Sequence, residues 1–141
     1  MAAARGLRLG GPMKDHYVVV TPEGFDVAAA PLVRDGKRLR FKAPRFLRWD
    51  ELSDVDAELR KPRVKDFLGV ALNAIPSDSD AVEANPRGYV RLAFFLTDGT
   101  ALHADIPRSL RWRPDQAWVD EFLAGARLAI EQPETRASFA R

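Results

Sequence analysis

"YVRLAFFLTDGTALHADIP", residues 89–107, reads as a β-hairpin, and its register decides what kind of fold the chain can form. Two pairings suit the Asp98-Gly99 turn. A two-residue loop sets Phe94 opposite His103 and Leu92 opposite Asp105. A three-residue loop, Thr97-Asp98-Gly99, sets Val90 opposite Ile106, Leu92 opposite Ala104 and Phe94 opposite Leu102. A slip of one residue changes which side chains share a face, and only the second pairing gathers these six apolar residues on one side. The expected register is therefore the three-residue loop, with Gly99 in the left-handed position of a bulge.

Working outward, the segments before this hairpin also read as short strands. "HYVVVTPEGFDVAAA" (16–30) has two apolar runs around a turn, with Pro22 and Gly24 where a type I turn favours them. "PLVRDGKRLRFKA" (31–43) pivots on Asp35-Gly36, a pair favoured in two-residue hairpin loops. That loop would set Leu32 opposite Leu39 and Ala30 opposite Phe41. "PRFLRWDELSDVDAEL" (44–59) runs through Trp49 into a polar turn, after which Val55, Ala57 and Leu59 alternate with charged residues. Lys61-Pro62 interrupts the chain, "VKDFLGVALN" (64–73) reads as a further strand, and 75–88 as the longest loop.

A single long helix closes the chain. Pro114 suits its first position and Asp115 the positive end of its dipole. Trp118, Val119, Phe122, Leu123, Ala126, Ala129 and Ile130 fall within about 140° of arc at 100° per residue. Pro133 ends it. The expected architecture is mainly β with one C-terminal helix: a partly open antiparallel barrel or two bent sheets, capped by helix 114–131. Residues 15–132 form the expected domain, with a disordered tail over 1–14 and a C-terminal tail over 133–141.

Composition narrows the chemistry. The length of 141 residues suits one domain, and 46% hydrophobic with 30% charged residues is ordinary for a soluble chain. The chain has no cysteine, which removes disulfides, thiolate nucleophiles, iron–sulfur clusters and zinc sites built on sulfur. A net charge of +2, from 22 cations against 20 anions, argues against specific nucleic-acid binding. No apolar run approaches the roughly 20 residues that span a bilayer, and the N-terminus lacks a secretory apolar core. A cytoplasmic location is the expectation.

"TPEGFDV" (21–27), "LRWDELSDV" (47–55) and "LAFFLTDGTALHADIP" (92–107), in this order and followed by a helix, resemble the bacterial pleckstrin-homology-like domains. In that family a "W-x-[DE]-[IL]-x-x-V" segment is matched here by Trp49, Glu51, Leu52 and Val55. Asp98, Gly99, Ile106 and Pro107 match its "DG" hairpin ending in "I-P". "KDFLGVALN" (65–73) looks like a strand of one uncharacterised branch. The resemblance covers about residues 16–131. It implies a fold and no ligand, since fold alone does not fix function.

The candidate sites are few. His103 and Asp105 share a strand face, but the expected register puts Arg91 opposite Asp105, which explains that aspartate as half of a cross-strand ion pair. The acidic group Asp50, Glu51, Asp54, Asp56 and Glu58 lacks the spacing of a calcium loop and alternates as a solvated strand does. No catalytic residue, metal or cofactor is expected. His16 reads as structural, and Trp112, between Arg111 and Arg113, as core or as an exposed contact. The remaining feature is a basic stripe from Arg34 to Arg48, in which Arg38, Arg40, Lys42 and Arg45 are the candidate anion- or partner-binding residues. Like charges on one strand repel unless balanced: if the acidic strand 54–58 pairs beside them, Asp54, Asp56 and Glu58 neutralise them internally, and if it does not, they are left as a surface for an anion or an acidic partner. The expected function is a non-catalytic cytoplasmic module that binds a protein partner or itself. The alternative is peripheral binding of anionic membrane lipid, or a phosphate-bearing ligand, through the basic strand 37–48, with Arg111 and Arg113 as possible additions.

Overall fold

Alternating apolar and charged residues fold into two antiparallel sheets that share one buried face. The structure, a computed structural model, describes residues 6–11, 16–34, 37–61, 85 and 87–141, with 29–34 and 37–43 described as backbone. The first sheet runs in the order β1 (Leu7–Leu9), β2 (Val18–Thr21), β3 (Gly24–Arg34) and β4 (Lys37–Arg48). A 3₁₀ turn, Trp49–Glu51, leads into the second sheet, β5 (Leu52–Arg60), β6 (Tyr89–Leu96) and β7 (Ala101–Pro107). Helix α1 (Gln116–Glu131) follows, then a 3₁₀ turn at Pro133–Thr135 and a short helix α2 (Arg136–Phe139). These seven strands are the ones among the described residues, where no helix is long and apolar enough to cross a membrane.

The β6–β7 register is the three-residue one: Val90 faces Ile106, Leu92 faces Ala104 and Phe94 faces Leu102. Gly99 takes φ +90°, which a side chain rarely tolerates. The β3–β4 hairpin keeps its two-residue loop, since Val33 faces Arg38 and Arg34 faces Lys37. Further along, however, Ala30 faces Ala43 rather than Phe41, because the register shifts on both sides of Ala30-Pro31. Pro31 has no N–H to give to a ladder, so it falls where the pairing is already irregular. The strand expected over 64–73 lies outside the described residues, as does most of the 75–88 loop.

Trp49 joins the two sheets. Its backbone N–H donates to Glu23 O at 3.2 Å and its indole Nε1 to Thr21 O at 3.1 Å, both on the β2–β3 turn. Two residues on, Glu51 O accepts from Thr97 N at 2.8 Å, at the β6–β7 loop. The ring is 1% exposed and packs on Phe25, with centroids 4.8 Å apart, and on Phe139 at 5.8 Å. Phe25 continues to Phe94 at 5.0 Å, and Phe139 to Phe122 at 5.3 Å. A chain of aromatic contacts thus runs from the second sheet through the first to both helices, each worth about 0.5–1.5 kcal/mol beyond simple burial.

Helix α1 buries Val119, Phe122, Ala126 and Ala129, the face its period predicts. Its start differs from expectation. Asp115 is the N-cap, accepting the Trp118 N–H at 2.8 Å, and Pro114 lies ahead of it, buried. The Asp115 carboxylate thereby satisfies one of the backbone donors that the helix start leaves without an intrahelical partner. Described residues of both expected tails are also structured. Leu7–Leu9 pairs with β2, and Leu9 is 1% exposed. At the other end the chain reverses so that Phe139 lies on Gly125, where any Cβ would meet the ring at 2.6 Å. Arg136 makes the reversal hold: its guanidinium donates to the Ala129 and Ile130 carbonyls, which the helix end leaves unpaired.

Ending the chain at Gln132 is therefore expected to cost about 2 kcal/mol or more, the scale of removing a partly buried aromatic side chain. Urea denaturation followed by tryptophan fluorescence measures it. A loss below about 0.5 kcal/mol, as for a surface change, would make residues 133–141 the tail that their composition suggests.

Candidate functional site

The basic and acidic strands do not pair. β4 hydrogen-bonds to β3, and β5 hydrogen-bonds to β6 in the other sheet, so of the two arrangements the sequence left open, the one with both strands side by side in a sheet does not occur. Trp49 is the physical reason: the turn it anchors takes the chain out of the first sheet before the acidic residues begin. The β5 carboxylates meet other cations. Asp54 takes Arg127 of α1 at 3.2 Å, with Asp56 at 3.9 Å from the same guanidinium, and Glu58 takes Arg60 at 3.1 Å.

β4 itself carries Lys37, Arg38, Arg40, Lys42, Arg45 and Arg48 and no carboxylate. Across the ladder Lys37 faces Arg34, Arg38 faces Val33, Lys42 faces Pro31, Arg45 faces Val27 and Arg48 faces Gly24. None of these partners is acidic. Among the described residues the far side of β4 takes no strand. Arg45 and Arg48 are exposed, with Phe46 between them 44% exposed. Phe46 borders a shallow depression of about 530 Å³, shared with Pro22, Glu23, Arg48, Asp50 and Arg136. Of the four sequence candidates, Arg45 is thus exposed beside an exposed aromatic ring. Arg38, Arg40 and Lys42 are placed by backbone register on the same strand.

Asp105 pairs with Arg91 across the strands, as the register predicts. Arg91 holds Asp105 through both guanidinium branches, Nε at 2.7 Å and Nη2 at 3.0 Å, while His103 Nε2 is 3.9 Å away. Asp105 is only 7% exposed, so the bidentate pair with Arg91 is what makes its burial tolerable. Trp112 is half-buried and meets Trp118 edge-on at 5.6 Å, which settles it as part of the helix packing.

A second cationic group went unrecognised in the sequence apart from Arg111. Arg87, Arg108 and Arg111 line one depression of about 390 Å³, together with Asn85, Ser109 and Leu110. The β6–β7 ladder ends at Tyr89 opposite Pro107, so residues just before one strand lie beside those just after the other. Extending the chosen register two residues past the strand ends was the signal available.

Comparison with known proteins returned no match among protein-family models, curated proteins or solved structures.

A double-mutant cycle on Arg91→Met and Asp105→Ala tests the structural role of the pair. Either single change is expected to cost about 2–4 kcal/mol, because it strands the other charge in a mostly buried place. Strong coupling is expected, and additive losses would contradict the pairing. A second prediction concerns the Asp98 carboxyl, which is held below its ordinary value. The main cause is the hydrogen bond from Thr100 Oγ1 at 2.6 Å, then that from Thr100 N–H at 2.9 Å, with a smaller pull from Arg45. A lowered value means that its stabilising contribution is present above the ordinary carboxylate range and is lost as pH falls through the folded value. In a carboxyl-carbon NMR titration Thr100→Val should move Asp98 upward. An unmoved titration would contradict this reading of the turn.

Proposed function

We propose that this chain is a non-catalytic, cytoplasmic binding module of pleckstrin-homology-like layout that takes an acidic, extended protein segment along β4. The layout is supported by the order of its parts: a four-stranded meander, a three-stranded meander and a closing helix. The observation that carries the ligand assignment is the β4 ladder, in which no known cross-strand partner of a cation is a carboxylate. Among the described residues β4 is an edge strand, and such an edge offers backbone donors and acceptors to an added strand. Long cations along such an edge discourage indiscriminate pairing. They also discourage a second copy of the same strand, since isologous pairing would bring like charges together. An acidic partner removes that repulsion, and Phe46 supplies an apolar contact beside the charges.

Peptide-display selection against the full chain, followed by titration of the enriched peptides, tests the proposal. The expected peptides are acidic and extended, perturb backbone amides within 37–48, and lose about tenfold or more in affinity on Arg45→Glu/Arg48→Glu. Enriched peptides without acidic character, or binding indifferent to the double substitution, would contradict it. Preference for anionic vesicles over every peptide would replace the protein partner with a lipid surface.

A further inference from the structure

We infer that the depression lined by Arg87, Arg108 and Arg111 is a second, separate anion site, built for a phosphate group. It stands at the opposite termini of the strands from the β6–β7 turn, in the loop before β6 and the segment after β7. It shares no residue with β4.

Arg108 is the central observation. It is half-buried, and its Nε is buried with no hydrogen-bond partner among the described residues. Arg60, Arg91 and Arg136, the other half-buried arginines with described side chains, each hold a carboxylate: Glu58, Asp105 and Asp50. Arg108 holds none. Its only side-chain hydrogen bond here runs from Nη1 to Arg87 O at 3.1 Å. Arg87 and Arg111, lining the same depression, also make no ion pair among the described residues, and no described lining residue is acidic. A guanidinium with a buried, unsatisfied donor costs free energy unless an acceptor meets it. Here that acceptor must come from outside the described chain.

The surrounding backbone is held in place. Asn85 Nδ2 donates to Gly88 O at 2.7 Å and to Arg108 O at 2.9 Å, and Arg108 N donates to Gly88 O at 3.1 Å. These bonds tie the loop before β6 to the segment after β7. On the other wall Ser109 Oγ accepts from Arg111 N at 3.3 Å and Trp112 N at 3.1 Å, while Ser109 N donates to Trp112 O at 2.8 Å. The arginines thus project from a tied framework, which lowers the ordering cost of binding. Three guanidiniums from two chain segments, Arg87 before β6 and Arg108 and Arg111 after β7, suit a tetrahedral dianion, whose oxygens point in several directions, better than a planar carboxylate. Leu110, 70% exposed at the rim, would meet whatever carries the phosphate. The phosphate is the shared chemistry of a free phosphate compound and a phospholipid headgroup.

The test is NMR titration of the full chain, observing backbone and arginine Nε–H signals, with two probes. One is inorganic pyrophosphate; the other is vesicles of phosphatidylcholine with or without phosphatidic acid. Saturable shifts centred on the Arg108 Nε–H and on residues 85–88 and 107–112 are expected with at least one probe. Arg111→Gln, an exposed change that spares the fold, should weaken that binding about tenfold, the effect of losing one charge-assisted contact. Arg108→Gln should weaken it further, and Arg45→Gln should leave it within about twofold. Saturation by pyrophosphate identifies a soluble phosphate as sufficient. Saturation only by phosphatidic acid vesicles identifies a headgroup presented at a surface. No saturable shift with either probe at low salt would overturn the site. So would shifts that Arg111→Gln leaves unchanged, or that Arg45→Gln abolishes.

Discussion

The buried side chain of Trp49 is the constraint on which the rest of the structure depends. Its two hydrogen bonds fasten the β2–β3 turn, and the residue two positions on receives a bond from the β6–β7 loop. One short turn therefore fixes where the first sheet ends and where the second begins. The aromatic contacts that spread from it reach Phe25 and Phe94 in the sheets and Phe139 and Phe122 in the helices. Arg136 completes the arrangement from outside. It caps α1, pairs with Asp50 at 3.3 Å and lies over the Trp49 ring at 5.8 Å. The terminal residues are thus tied to the same joint as the sheets.

That joint has an electrostatic consequence. A chain with a net charge of only +2 could neutralise itself locally wherever acidic and basic strands meet. Trp49 turns the chain between them, so β4 and β5 lie in different sheets and β5 gives its carboxylates to Arg127 and Arg60. In a nearly neutral molecule the local distribution of charge matters more than the total. The arginines around Asn85 follow the same logic at the far ends of β6 and β7. There the acids that pair other half-buried arginines are absent from the described lining.

Local structure was legible where turn chemistry and alternation agreed. Asp98-Gly99 and the apolar residues around it admit one satisfactory register for β6–β7, and Arg91 opposite Asp105 follows from it. The buried face of α1 was equally plain from its period. The β3–β4 register was not, because Pro31 and the shifts beside it break the count from the Asp35-Gly36 turn. The separation of β4 from β5 was illegible for a different reason. It depends on indole and backbone hydrogen bonds to a turn 28 residues earlier in the chain. The C-terminal residues look like a tail in composition, and the fit of Phe139 on Gly125 together with the bonds of Arg136 gives them a place. Arg87 and Arg108 are 21 residues apart, and only the hairpin register brings them together.

The most direct test of this account is a map of cross-strand backbone contacts by nuclear Overhauser effects in the full chain. Contacts of Val55 with Phe94, Ala57 with Leu92 and Leu59 with Val90 are predicted, with none between residues 38–42 and 54–58. Cross-strand contacts between those two segments would mean that the acidic strand lies beside the basic one. The separation of charge assigned to Trp49 would then be wrong.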